Sequence, residues 1–131
     1  MVTRLARLCL ALPESYQETA WVGTRWMIRK RTFAHVVAIA GGWPPAYARA
    51  AGSLGPLTTP VTVLTVRAAG ALYETLRSAG APYFQPAWGT RWGAHVIGMV
   101  LAKDVDWDEV ALVLTESYRL LAPRKLAASL R

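Results

Sequence analysis

The chain holds a single cysteine, Cys9, which excludes an internal disulfide framework and a thiolate metal cluster. Histidine is almost as scarce. His35 and His95 lie far apart among apolar neighbours, whereas a metal site needs three or four convergent ligands, so both read as structural or surface residues. Cys9 falls on the apolar stripe of an N-terminal helix pattern and reads as a small core filler rather than a nucleophile. Phosphate-cradling glycine motifs are missing too, because neither Gly41-Gly42 nor Gly52 to Gly55 leads into Lys-Ser/Thr. The acidic run Asp104, Asp106, Asp108 and Glu109 lacks the glycine and the downstream glutamate of a calcium loop, so it reads as charge at a helix start. No apolar run approaches the ~20 residues that cross a bilayer. Arg4 and Arg7 interrupt the first apolar pattern, which is unlike a secretory signal and points to a cytoplasmic protein with Cys9 reduced. No catalytic, metal or cofactor motif emerges.

Acidic residues are few, 8 against 15 Lys and Arg, and the formal charge is +7. That balance predicts attraction to polyanions without naming one. The 131 residues are 53% hydrophobic and 18% charged, which excludes a disordered chain and fits one domain, residues 1–131, around one core.

Val2, Leu5, Leu8, Cys9 and Leu12 recur at three- and four-residue spacing and predict a helix over 2–12, stopped by Pro13. Thr24 to Arg29 alternates, with Trp26 and Ile28 on one face. Thr32 to Ala40 alternates again, with Phe33, His35, Val37 and Ile39 together. These two runs predict a β-hairpin, although Lys30-Arg31 lacks the Asn-Gly chemistry of a tight turn and leaves its type open. Residues 41–60 are irregular, with a short helix expected over 46–51. Val61 to Arg67 reads as a third strand, and Ala69 to Ala79 as a helix with Leu72, Leu76 and Ala79 inward, ended by Gly80. Tyr83-Phe84 and Arg91 to Ala102 suggest a second hairpin. Asp106 reads as an N-cap with Glu109 three residues on, opening a helix whose stripe is Trp107, Ala111, Leu114, Tyr118 and Leu121; Leu126 to Leu130 forms a last turn. The order is α-β(3)-α-β(2)-α, an α+β antiparallel sheet packed by helices.

Several segments resemble the MmcQ/YjbR family of small bacterial proteins. They are Leu10-Ala11-Leu12-Pro13-Glu14 with Glu18 and Trp21, then Lys30-Arg31-Thr32-Phe33-Ala34, then Asp106-Trp107-Asp108-Glu109-Val110, Glu116-Ser117-Tyr118-Arg119-Leu120 and Ala122-Pro123. The anchors run from about residue 8 to 126. The resemblance implies a secretion-chaperone-like sheet and a DNA-binding role through a "double wing" of two hairpins, with no established enzymatic activity. One segment departs from the family. Where many members carry a His-Met-Asn-Lys-x-His-Trp-like stretch, this chain has Gln85-Pro86-Ala87-Trp88-Gly89-Thr90-Arg91-Trp92, keeping the final Trp but losing most polar groups.

Three functional classes follow. Arg25, Arg29, Lys30 and Arg31 cluster at the first hairpin, and Arg91 lies beside Trp88 and Trp92 at the second. If the tips converge, these cations would neutralise DNA phosphates while Trp26 or Trp88 adds a stacking or apolar contact. The bland alternative is that the arginines solvate an exposed face and that Trp26 and Trp92 fill the core. Trp21 and Trp107 read as core. Trp43 and Trp88 adjoin prolines in loops and are candidates to line a small-ligand cleft, the second class. A dimerising interaction module is the third, leaving the protein a monomer or a homodimer.

Overall fold

The computed structural model describes residues 1–52, 60–86 and 95–130. Eleven elements are described: α1 (Val2–Leu10), β1 (Tyr16–Thr19), β2 (Thr24–Ile28), β3 (Arg31–Ile39), α2 (Pro45–Ala51), β4 (Val61–Ala68), α3 (Gly70–Ala79), β5 (Tyr83–Phe84), β6 (His95–Leu101), α4 (Trp107–Leu121) and α5 (Arg124–Ala128). The six strands form one sheet in the order β1-β2-β3-β4-β6-β5, every neighbouring pair antiparallel. The α+β class and the helix-packed antiparallel sheet are as the sequence predicts.

One element is unforeseen. β1 is an edge strand of Tyr, Gln, Glu and Thr that stays largely exposed, so no apolar alternation announces it.

Both faces of the sheet are covered, by unequal layers. Trp26, Ile28, Leu64, Val66, Ile97 and Met99 share one core cluster with Leu5 and Cys9 of α1, Tyr73 and Leu76 of α3, and Val110, Val113, Leu114 and Tyr118 of α4. On the other face a smaller cluster gathers Val37, Ile39, Val63 and Phe84 under Ala51 of α2. Two details of burial differ from the sequence periodicity. In α3 the inward residues are Tyr73 and Leu76, with Ala79 exposed. In α4 the fully buried stripe runs through Val110, Val113, Leu114, Ser117 and Tyr118, while Trp107 is half-buried under the guanidinium of Arg4, 4.5 Å from its ring centroid.

A register shift also moves Phe33. Trp26 pairs with Ala34 but Met27 pairs with Thr32, so Phe33 is the extra residue of a β-bulge. Strict alternation would put Phe33 beside His35 and Val37. The bulge turns it to the opposite face, where its ring meets Tyr118 edge-on at 5.6 Å. The bulge also ends the β3–β4 ladder at Ala34 and Val66. Buried Ser117 of α4 bridges the two strands beside it: its hydroxyl donates to the Phe33 carbonyl at 2.5 Å and accepts from the Arg67 N–H at 2.8 Å. Close by, the Tyr118 hydroxyl donates to the Pro13 carbonyl at 2.7 Å. These contacts join the separated sequence anchors Pro13, Phe33 and Ser117-Tyr118 into one packed locus.

Asp106 caps α4 as expected, accepting from the N–H groups of Asp108 and Glu109. Glu109 does not return the bond as in a capping box. Its carboxylate accepts from the Tyr83 hydroxyl and ties α4 to β5.

Candidate functional site

The hairpin between β2 and β3 turns through two residues, Arg29 and Lys30, with Ile28 paired to Arg31. Both turn residues have positive φ, 49° and 66°. That geometry matches the twist of a hairpin and is normally filled by Asn-Gly. An L residue held there costs on the order of 1 kcal/mol or more. Here it carries two cations, with a third, Arg31, directly after them, and all three are exposed. The Arg29 guanidinium lies 3.0 Å from the Glu14 carboxylate, with both side chains about half exposed. A pair of that kind contributes at most about 1 kcal/mol and yields readily to a competing anion. Lys30 and Arg31 carry no ion pair among the described residues.

Strand pairing fixes where the tip lies. Ala34 of β3 pairs with Val66, and Ala68 at the end of β4 pairs with His95 at the start of β6. The Arg29-Lys30 turn, the end of β4 and the start of β6 therefore share one end of the sheet. β5 runs antiparallel to β6, toward that same end. β6 thus begins at the end of the sheet where the first hairpin tip lies, with only β4 between β3 and β6, about 10 Å across. Arg91, Trp88 and Trp92 belong to the β5–β6 connection and lie outside the described residues.

Two residues expected at the interface are elsewhere. Trp26 is fully buried, and its indole N–H donates to the Gln17 side-chain oxygen at 2.9 Å. No ring face is left for a base, which corrects its assignment as a stacking contact. Arg25 belongs to the face under α2, where its guanidinium donates to the Glu18 carboxylate at 2.7 Å from the facing position of β1.

That face carries a second feature. A single cross-strand row runs Glu18, Arg25, His35, Thr65, Gly98 and Phe84 across all six strands. At its far end the Phe84 ring lies flat over Gly98, where any Cβ would come within 2.2 Å of the ring. At its near end a cavity of about 740 Å³ opens between the sheet and the segment leading into α2. Its walls include Arg25, His35, Thr65 and Arg67 from the strands, with Trp43 and Tyr47 from the α2 side.

His35 organises this wall. Nε2 is 2.6 Å from the Val22 carbonyl, which can only accept, so that nitrogen carries the proton. Nδ1 then accepts from the Tyr47 hydroxyl at 3.0 Å, latching α2 to the sheet. Burial, and secondarily the charge of Arg25, hold the imidazole below its ordinary pKa of 6.5 against the opposing pull of the Val22 carbonyl. Burial likewise pushes the Tyr47 hydroxyl up.

The cavity rim holds two indoles. Trp43 is 57% exposed and stands where the sequence places a cleft residue; Trp88, its proposed partner, lies outside the described residues. Trp21, expected in the core, is 95% exposed at the mouth. It sits in the β1–β2 turn. Gly23, two residues on, has φ 77° and lies so near β3 that a Cβ would meet the Val36 carbonyl oxygen at 2.0 Å. Sequence reading also missed Tyr47 and Arg67. The available signal was polar His35 and Thr65 within two otherwise apolar strands.

The remaining candidates are structural. Cys9 is fully buried, and burial pushes its thiol up to about 12. His95 stacks on Tyr73 with ring centroids 3.9 Å apart. Among the described residues, no three His, Cys, Asp or Glu side chains gather as metal ligands, and no helix is long and apolar enough to cross a membrane.

No curated protein matches the chain. The sequence profile of the YjbR family matches residues 10–120, a span that takes in β1 to β6, the basic hairpin and all of α4 but its last residue. That coverage, together with anchors that meet in three dimensions, shows that the chain belongs to the YjbR family.

Proposed function

We propose that this protein binds DNA without catalysing a reaction, through the cationic tip of the β2–β3 hairpin. The observation that carries this reading is the turn itself. Arg29 and Lys30 occupy left-handed backbone positions that glycine or asparagine would fill at less cost. A local rule broken in favour of exposed charge points to a function for that charge.

Arg29, Lys30 and Arg31 would each neutralise a phosphate, with Arg29 exchanging Glu14 for the nucleic acid. Arg91 and Trp88, outside the described residues, would add to the contact if they form the second wing that the family resemblance implies. The non-enzymatic reading draws support from His35, whose ring nitrogens are both engaged, and from Cys9, whose thiol is buried and protonated.

Fluorescence anisotropy with a labelled duplex at several salt concentrations tests the proposal. Each phosphate contact contributes roughly 0.9 to the slope of log K against log salt. Lys30→Ala with Arg31→Ala should therefore flatten the slope by about 2. Absence of binding at low salt, or an unchanged slope in the double variant, would refute it.

A further inference from the structure

We propose that the cavity between the sheet and the α2 segment binds a small planar aromatic molecule carrying an anionic group. The cavity reaches Thr32, next to the hairpin tip, but the inferred binding rests on its arginines and aromatics and not on the tip cations. Its volume of about 740 Å³ lies within the ~300–1,000 Å³ of small-molecule sites. Two arginines, Arg25 and Arg67, line it, and no carboxylate does among the described residues. Glu18, outside the cavity lining, holds and orients the Arg25 guanidinium at 2.7 Å, so an anion bound there would share that arginine with Glu18.

Aromatic side chains supply the other half of the recognition. Trp43 and Tyr47 stand on one wall, and Trp21 projects at the mouth with 95% of its surface in water. An indole so placed gains from folding only if something later covers it, and a planar ring does so by stacking. Arginine planes serve the same ring from the strand side while pairing with its anionic substituent. The Tyr47–His35 hydrogen bond keeps α2 seated, so the wall is built before a ligand arrives. A carboxylate and a phosphate would both pair with these guanidinium groups, and the test separates them.

Calorimetric titration of the full chain decides the matter. Adenosine monophosphate and indole-3-acetate are the charged-ring probes; adenosine, indole, inorganic phosphate and acetate are their halves. At least one charged ring should bind about tenfold or more tightly than its own ring or anion alone, the worth of a charge-assisted contact. Preference for the nucleotide assigns a phosphate ligand, and preference for indole-3-acetate a carboxylate. Trp21→Ala and Arg67→Gln should each weaken that binding about tenfold. Lys30→Ala with Arg31→Ala should leave it unchanged. In the unaltered protein, the ring resonances of His35 and Trp43 should shift with the bound probe, a readout that requires no variant to fold. Failure of both charged rings to exceed their neutral halves would overturn the proposal, as would binding that leaves those resonances in place.

Discussion

Ser117 illustrates how much one hydroxyl can hold. It bridges β3 and β4 beside the Phe33 bulge, donating to the Phe33 carbonyl and accepting from the Arg67 N–H. Ser117→Ala should cost about 1–3 kcal/mol in urea unfolding, because it removes the buried hydrogen bond to the Phe33 carbonyl together with the one from the Arg67 N–H. The sequence displays Ser117 only as part of a familiar string, since its partners lie 84 and 50 residues away. His35 is a second case. Its folded pKa lies below the 6.5 of the exposed ring, so the unfolded chain binds the proton more readily. Stability from the neutral ring is therefore full above about pH 6.5 and is lost as pH falls through the lowered folded value. Urea midpoints should drop on going from pH 7.5 to pH 5, and His35→Gln should flatten that dependence. Trp21 and Trp26 show the limit of residue type as a guide. Trp21 lies in the β1–β2 turn and is 95% exposed, whereas Trp26 lies within β2 and is fully buried, so position in the fold and not residue type decides.

Strong patterns were legible among the elements, and balanced ones were not. Alternation marked β2 and β3, and β-branched residues marked β4, because each strand buries apolar side chains. Strand β1 escaped because its side chains face water at the sheet edge. The bulge escaped because an extra residue becomes visible only against a partner strand. The hairpin turn yields the sharpest prediction at this scale. Replacing Arg29 with Asn and Lys30 with Gly supplies the residues that the backbone prefers, and should raise stability by about 1 kcal/mol in urea unfolding. The same change should weaken DNA binding. A gain in both would show that the charged turn serves no phosphate contact. The candidate site was legible to a similar degree: the cations of the tip stand together as their spacing implied, whereas Arg25 parted from them because its strand position faces the α2 side.

Across the whole molecule, antiparallel order brings the first hairpin tip, the end of β4 and the start of β6 to one end of the sheet, toward which β5 runs. The opposite end carries the Ala40 to Trp43 bend, closed by paired hydrogen bonds of 3.0 Å. An overall charge of +7 draws a polyanion toward the protein from any direction, but it does not choose an end. The proposed DNA contact places that choice at the hairpin tip, where three consecutive cations, Arg29, Lys30 and Arg31, stand exposed. Mapping amide chemical shifts during titration with a short duplex at low salt tests it most directly. The account predicts that the amides of Arg29, Lys30, Arg31, Ala68 and His95 shift together while those of Gly41 and Gly42 stay fixed. Shifts centred on the Gly41-Gly42 end, or none that saturate, would contradict it.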